Sequence, residues 1–124
     1  MSLRHPLARV KGAGPSGEGS HHWWLQRLSA LALIPLGLWF MFAVARHLGD
    51  DHTAVAQWLA HPGVALAAVL FSVFMFFHAH LGVQVVIEDY VHNEAVKMVC
   101  LLVSKAVLLV AGAASVFAIL SIAL

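Results

Sequence analysis

Cysteine and tyrosine occur once each in this chain, and charge is scarce: seven basic and six acidic side chains in 124 residues. The lone Cys100 cannot close a disulfide within the chain and leaves no cysteine set for an iron–sulfur cluster. With 61% apolar residues and a mean hydropathy of +0.87, so little charge excludes both a disordered chain and a soluble domain. A domain this small buries too little of its surface to hide that much hydrocarbon. The formal net charge of +1 gives no electrostatic case for a nucleic-acid partner. No glycine-rich flavin fingerprint and no nucleophile–base pair is visible, so this chain is not expected to oxidise a substrate by itself. A membrane remains as its solvent.

What the sequence has is apolar length. Three runs, about residues 28–45, 64–87 and 98–124, reach the roughly 20 residues that a helix needs to span a bilayer. The first is bracketed by Arg27 and Arg46. The second is opened by His61-Pro62-Gly63 and closed by Glu88-Asp89, and Lys105 alone interrupts the third. None alternates as a barrel strand does. The expected fold is therefore all-α: three transmembrane helices within residues 21–124, forming part of a multi-subunit helix bundle. Residues 1–20, rich in glycine and proline, read as an extended arm. No apolar stretch follows the early basic residues at the distance a cleaved secretory signal needs. Pro35, with Gly37 beside it, predicts a local bend in the first span.

Arg4, Arg9, Lys11 and Arg27 precede the first span, the second loop carries Lys97, and nothing basic follows the third span. The positive-inside rule then puts the N-terminus and second loop in the cytoplasm and Leu124 outside, in the periplasm of a bacterial inner membrane. Trp23 and Trp24 fit the inner interfacial belt and Trp58 the outer one.

Polar groups at membrane depth are the candidates for function. The second span holds His78, His80 and Gln84, and ends in Glu88-Asp89-Tyr90. His78 lies about ten residues, or about 15 Å, above the cytoplasmic end. Neutral imidazole is a common axial ligand of haem iron. At about 100° per residue, His78, Gly82 and Asp89 share a face, and Gly82 leaves room for a flat macrocycle. His80 points about 160° away, so one haem cannot use both histidines. The alternative for His78 is a bundle histidine hydrogen-bonded to a neighbouring helix, and helix geometry alone leaves both readings standing. His80 reads as a residue behind the site or at a subunit contact, and Gln84 as an interhelical hydrogen-bonder.

At the cytoplasmic ends, His21, His22 and Arg27 open the first span, while Asp89 and Tyr90 close the second. Arg27 suits an anion such as a haem propionate or a lipid phosphate, but it is equally an ordinary positive-inside anchor. His21 is by default a surface residue. Tyr90 offers a phenolic donor that a quinone carbonyl needs, and the alternative is an aromatic-belt tyrosine. Asp89 beside it either carries protons or caps the interface. Lys105 reads as a snorkelling, topological lysine. His47, His52 and His61 lack ligand spacing and read as solvated. The stretch from Ala111 to Ser115 is a small-residue patch for close helix contact.

Taken together, His78-Ala79-His80-Leu81-Gly82-Val83-Gln84-Val85-Val86-Ile87-Glu88-Asp89-Tyr90-Val91 resembles the hydrophobic, D-type membrane anchor subunits of succinate dehydrogenase (respiratory complex II), small anchors of its cytochrome b. That family carries a His, a Gly four residues on, and an Asp-Tyr pair eleven and twelve residues on. Gly19 to Ala30, with His21 and Arg27, is similar to the family's lead-in to its first helix. The resemblance covers about residues 17–124. It implies that His78 is one axial ligand of a b-type haem shared with a second anchor (cytochrome b) subunit. It places His21 and Arg27 near the haem propionates, and Tyr90 with Asp89 at a ubiquinone site beside the iron–sulfur subunit. A flavoprotein subunit and membrane lipid complete the implied partners. The readings in competition are a fumarate reductase anchor, a cofactor-free structural subunit, and a proton-conducting subunit using His78, His80 and Glu88. The last is disfavoured as a self-contained transporter, because three spans carry no internal repeat.

Overall fold

The computed structural model describes residues 18–124, so the expected arm lies outside the described residues up to position 17. Four helices follow: α1 (Glu18–Arg46), α2 (His52–Leu59), α3 (Pro62–Tyr90) and α4 (Glu94–Ala123). No strand occurs among the described residues. α1, α3 and α4 are each long and apolar enough to cross a membrane. They extend past the apolar runs that announced them. The 29 residues of α3 measure about 44 Å, enough to carry its polar ends through the headgroup layers.

Local chemistry sets the ends. Pro62 occupies the first turn of α3, where its missing N–H costs nothing. Asn93 caps α4 by accepting from the Val96 N–H at 3.1 Å, and Asp51 caps α2 by accepting from Ala54 at 2.8 Å. Gly49, at φ +93°, makes the left-handed turn between α1 and α2. α1 continues through Pro35 without a break.

α2 is an element that the three apolar runs do not announce. Eight residues with no buried side chain carry too weak a periodic signal to stand out. It delivers Trp58 onto Trp39 of α1, with centroids 6.2 Å apart, and onto His47 at 4.5 Å. His47 in turn meets Asp50 Oδ2 at 2.7 Å. His47 is thus a member of a small cluster at the end of α1 rather than a solvated residue. His52 and His61 are exposed as expected.

α3 is the central helix, packed on α1 along one side and on α4 along another, while α1 and α4 do not pack against each other. Phe40 of α1 stacks on Phe71 of α3 at 4.5 Å. Gly112, in the small-residue patch of α4, lets Phe76 of α3 approach until a β-carbon there would lie 3.3 Å from it. Ala43, Ala65, Ala68 and Leu81 are the buried apolar residues among those described, and the large side chains point outward. A water-soluble protein inverts that arrangement, and a lipid-facing one requires it.

Candidate functional site

His78 and Ser29 bring the two sides of the α1–α3 seam together. Ser29 is 3% exposed, and its Oγ lies 2.9 Å from His78 Nδ1. The same hydroxyl donates to the Gln26 carbonyl, three residues back on α1, at 3.0 Å. A serine hydroxyl has one proton, which goes to the Gln26 carbonyl when His78 Nδ1 is itself the donor. In the tautomer with the proton on Nδ1, the Ser29 oxygen accepts from His78 and the lone pair is on Nε2. His78 is half-buried, so the ring is held from one side without being enclosed.

One turn along, Gln26 faces Gly82: a β-carbon on that glycine would lie 3.9 Å from Gln26 Nε2. The space expected beside Gly82 is therefore bounded by Gln26. These two pairings fix α1 and α3 antiparallel. On that register Arg27 is level with about Leu81, roughly 13 Å inward from Tyr90, and His21 is level with about Ile87. The sequence reading grouped Arg27 with Asp89 and Tyr90 at one surface, whereas the register puts it near the depth of His78. Its guanidinium carbon lies 5.1 Å from the Trp23 ring centroid, and it makes no ion pair among the described residues. His21 and Asp89 are exposed, and Tyr90 closes α3 with 78% of its surface free.

Sequence reasoning places His22 at the opening of the first span but passes over Gln26 and Ser29, which share its face of α1. His22, Gln26 and Ser29 stand at i, i+4 and i+7, one stripe of a helix. That spacing was the available signal, and it was diluted by the tryptophans and the second histidine beside it. His22 Nε2 is buried without a hydrogen-bond partner among the described residues, an arrangement that calls for a polar group from elsewhere.

The other polar residues fall away from the seam. His80 opens on a different side of α3, into a cavity of about 580 Å³ walled by apolar side chains of α3 and α4, where Lys105 also lies. Gln84 bonds Glu88 Oε1 at 2.8 Å along its own helix instead of reaching a neighbour. Among the described residues no three His, Cys, Asp or Glu side chains converge as a metal-binding group.

The sequence profile of the succinate dehydrogenase/fumarate reductase transmembrane subunits matches residues 1–120. Among individual relatives, a succinate dehydrogenase hydrophobic membrane anchor subunit of Rickettsia bellii is 33% identical over 89 residues, 72% of this chain and 71% of that protein. The Paracoccus denitrificans protein of the same name is 33% identical over 85 residues, 68% of this chain and 66% of its own. A succinate dehydrogenase membrane anchor subunit of Reclinomonas americana is 32% identical over 95 residues, 73% of this chain and 78% of its own. No solved structure matches the chain. With three membrane-crossing helices and these relatives, the chain belongs to the succinate dehydrogenase/fumarate reductase transmembrane subunit family, as a multi-pass succinate dehydrogenase membrane anchor subunit.

Proposed function

We propose that this subunit gives one axial ligand, His78, to a b-type haem held between it and a second anchor subunit, and that Tyr90 with Asp89 lines a ubiquinone site. His21 and Arg27 stand near the haem propionates in this reading. The anchor docks an iron–sulfur subunit, itself attached to a flavoprotein subunit, on the cytoplasmic side of a bacterial inner membrane. Its N-terminus is cytoplasmic and its C-terminus periplasmic. The relatives' names favour succinate oxidation over fumarate reduction as the physiological direction.

One observation carries the haem reading. The His78 ring lies within the apolar run of α3 with Nδ1 occupied by Ser29, so Nε2 is the nitrogen left to bind. The residues fit the group. They provide one fixed imidazole, an arginine level with it to within about one turn, and an orphaned His22 nitrogen nearer the surface. A bound b-type haem would supply one-electron redox chemistry at this depth. His78 holds and orients, Arg27 balances carboxylate charge, and the Tyr90 hydroxyl donates a hydrogen bond to a quinone carbonyl oxygen. In this reading Asp89, exposed beside Tyr90, passes a proton between that oxygen and the aqueous phase. Two features pointing the same way from this chain alone are the polar stripe on α1 and the half-buried imidazole it faces.

The test compares His78→Ala with His80→Ala in the purified complex. The first is expected to lose the reduced b-haem absorbance or change its ligand-field spectrum, and the second to keep both. An unaltered spectrum in His78→Ala refutes the assignment.

A further inference from the structure

We infer that Ser29 is a positioning residue for His78: its hydroxyl oxygen fixes the proton on Nδ1 and sets how strongly Nε2 donates to iron. The inference rests on the haem reading above and adds to it a residue on a different helix. Ser29 is the most buried polar side chain among those described, and it makes two hydrogen bonds of ordinary length, 2.9 Å to His78 Nδ1 and 3.0 Å to the Gln26 carbonyl. In a membrane interior such a pair is not exchanged for water, so the ring has one preferred tautomer and one preferred orientation about its side-chain bonds.

The kind of acceptor matters as much as its presence. Carboxylates behind a ligating histidine draw the Nδ1 proton away and make the ring a stronger, more imidazolate-like donor. A hydroxyl is neutral, and with Nδ1 as the donor this one gives its own proton to Gln26, so its oxygen accepts moderately. The ring stays a neutral imidazole with a modestly strengthened Nε2. Stronger donation stabilises ferric over ferrous iron, so Ser29 lowers the haem potential by a small, definite amount. It also fixes the plane of the ring, to which the spectrum of a low-spin ferric centre is sensitive.

The experiment uses the whole complex, purified with its haem, and reads the potentiometric midpoint and the ferric electron paramagnetic resonance g-values rather than turnover. In Ser29→Ala the acceptor is gone. The midpoint should rise, with the oxidised-to-reduced ratio at the wild-type midpoint falling by up to about tenfold, about 59 mV for one electron, and the g-values should move. Ser29→Thr keeps the hydroxyl and should restore both readings. Ser29→Cys keeps the volume with a poor acceptor, and should shift in the same direction as Ala. Wild-type midpoint and g-values in both the Ala and Cys complexes overturn the inference. So does failure of both to assemble, which would mark Ser29 as a packing residue. His78→Ala separates the two readings: if it loses the haem signal while the Ser29 variants change nothing, only the role of Ser29 falls. If it keeps a wild-type haem signal, the ligand assignment falls and takes Ser29 with it.

Discussion

Tyr90 stands at the point where α3 leaves the apolar layer, and nothing among the described residues claims its hydroxyl. A phenol in that position either anchors the helix at the interface or waits for an acceptor that arrives from the membrane. The two roles separate in one substitution, because phenylalanine keeps the ring and loses only the donor. Tyr90→Phe should assemble normally, keep the haem spectrum and slow succinate–quinone reduction about tenfold or more, the effect of losing a hydrogen bond to substrate of about 1.4 kcal/mol. Equal rates with a soluble acceptor and with quinone in both proteins would take Tyr90 out of the site. His21 and Arg27 are a different case, since both are exposed and Arg27 already rests on Trp23. The sequence made His78 legible because a histidine inside an apolar run is expensive. It could not say which neighbour bears that cost, since Ser29 lies 49 positions away and is an unremarkable helix residue until α1 and α3 are paired.

α3 serves two neighbours with two different surfaces. Towards α1 it presents His78 and Gly82, met by Ser29 and Gln26. Towards α4 it presents Phe76, met by Gly112. The second contact is tight enough to test. A β-carbon on Gly112 would lie 3.3 Å from both Phe76 Cβ and Cγ, and Phe76 is held by its own helix, so the helices themselves must move apart. Gly112→Val should cost about 1–3 kcal/mol, and Gly112→Ala less. Thermal dissociation of the purified complex in detergent measures this, and a Val variant as heat-resistant as wild type would mean that α3 and α4 do not meet there. The three long helices were readable because hydrocarbon length is a strong, local signal. α2 was not, because an eight-residue helix with exposed faces looks like any polar loop. Gln84 misled for a related reason: four residues from Glu88 it has a partner on its own helix, and an i,i+4 pair needs no neighbour.

As a whole, the chain has far more surface than its own helices cover. None of the apolar window of α4 is buried, and Leu31, Met41, Phe42, Leu102 and Phe117 all lie open. Lipid satisfies side chains of that kind, but it does not satisfy the polar ones. His78 offers a single nitrogen, His80 opens on another side of the same helix, and His22, nearer the start of α1, has a nitrogen with no partner among the described residues. A low-spin haem with two imidazoles therefore needs a histidine from a second chain under the proposed reading. The consequence is measurable in membranes. Produced without other anchor subunits, this chain should show no b-type absorbance under reduction, even with haem in excess, and should accumulate poorly because the buried His22 nitrogen has no partner among the described residues. Co-production with the companion anchor should restore the absorbance in the same membranes. The companion anchor with its own haem-ligating histidine replaced should support accumulation of this chain but not the spectrum. A full bis-imidazole b-type spectrum from this chain alone, as a monomer in detergent, would mean that both ligands come from within it and that the shared site is wrong.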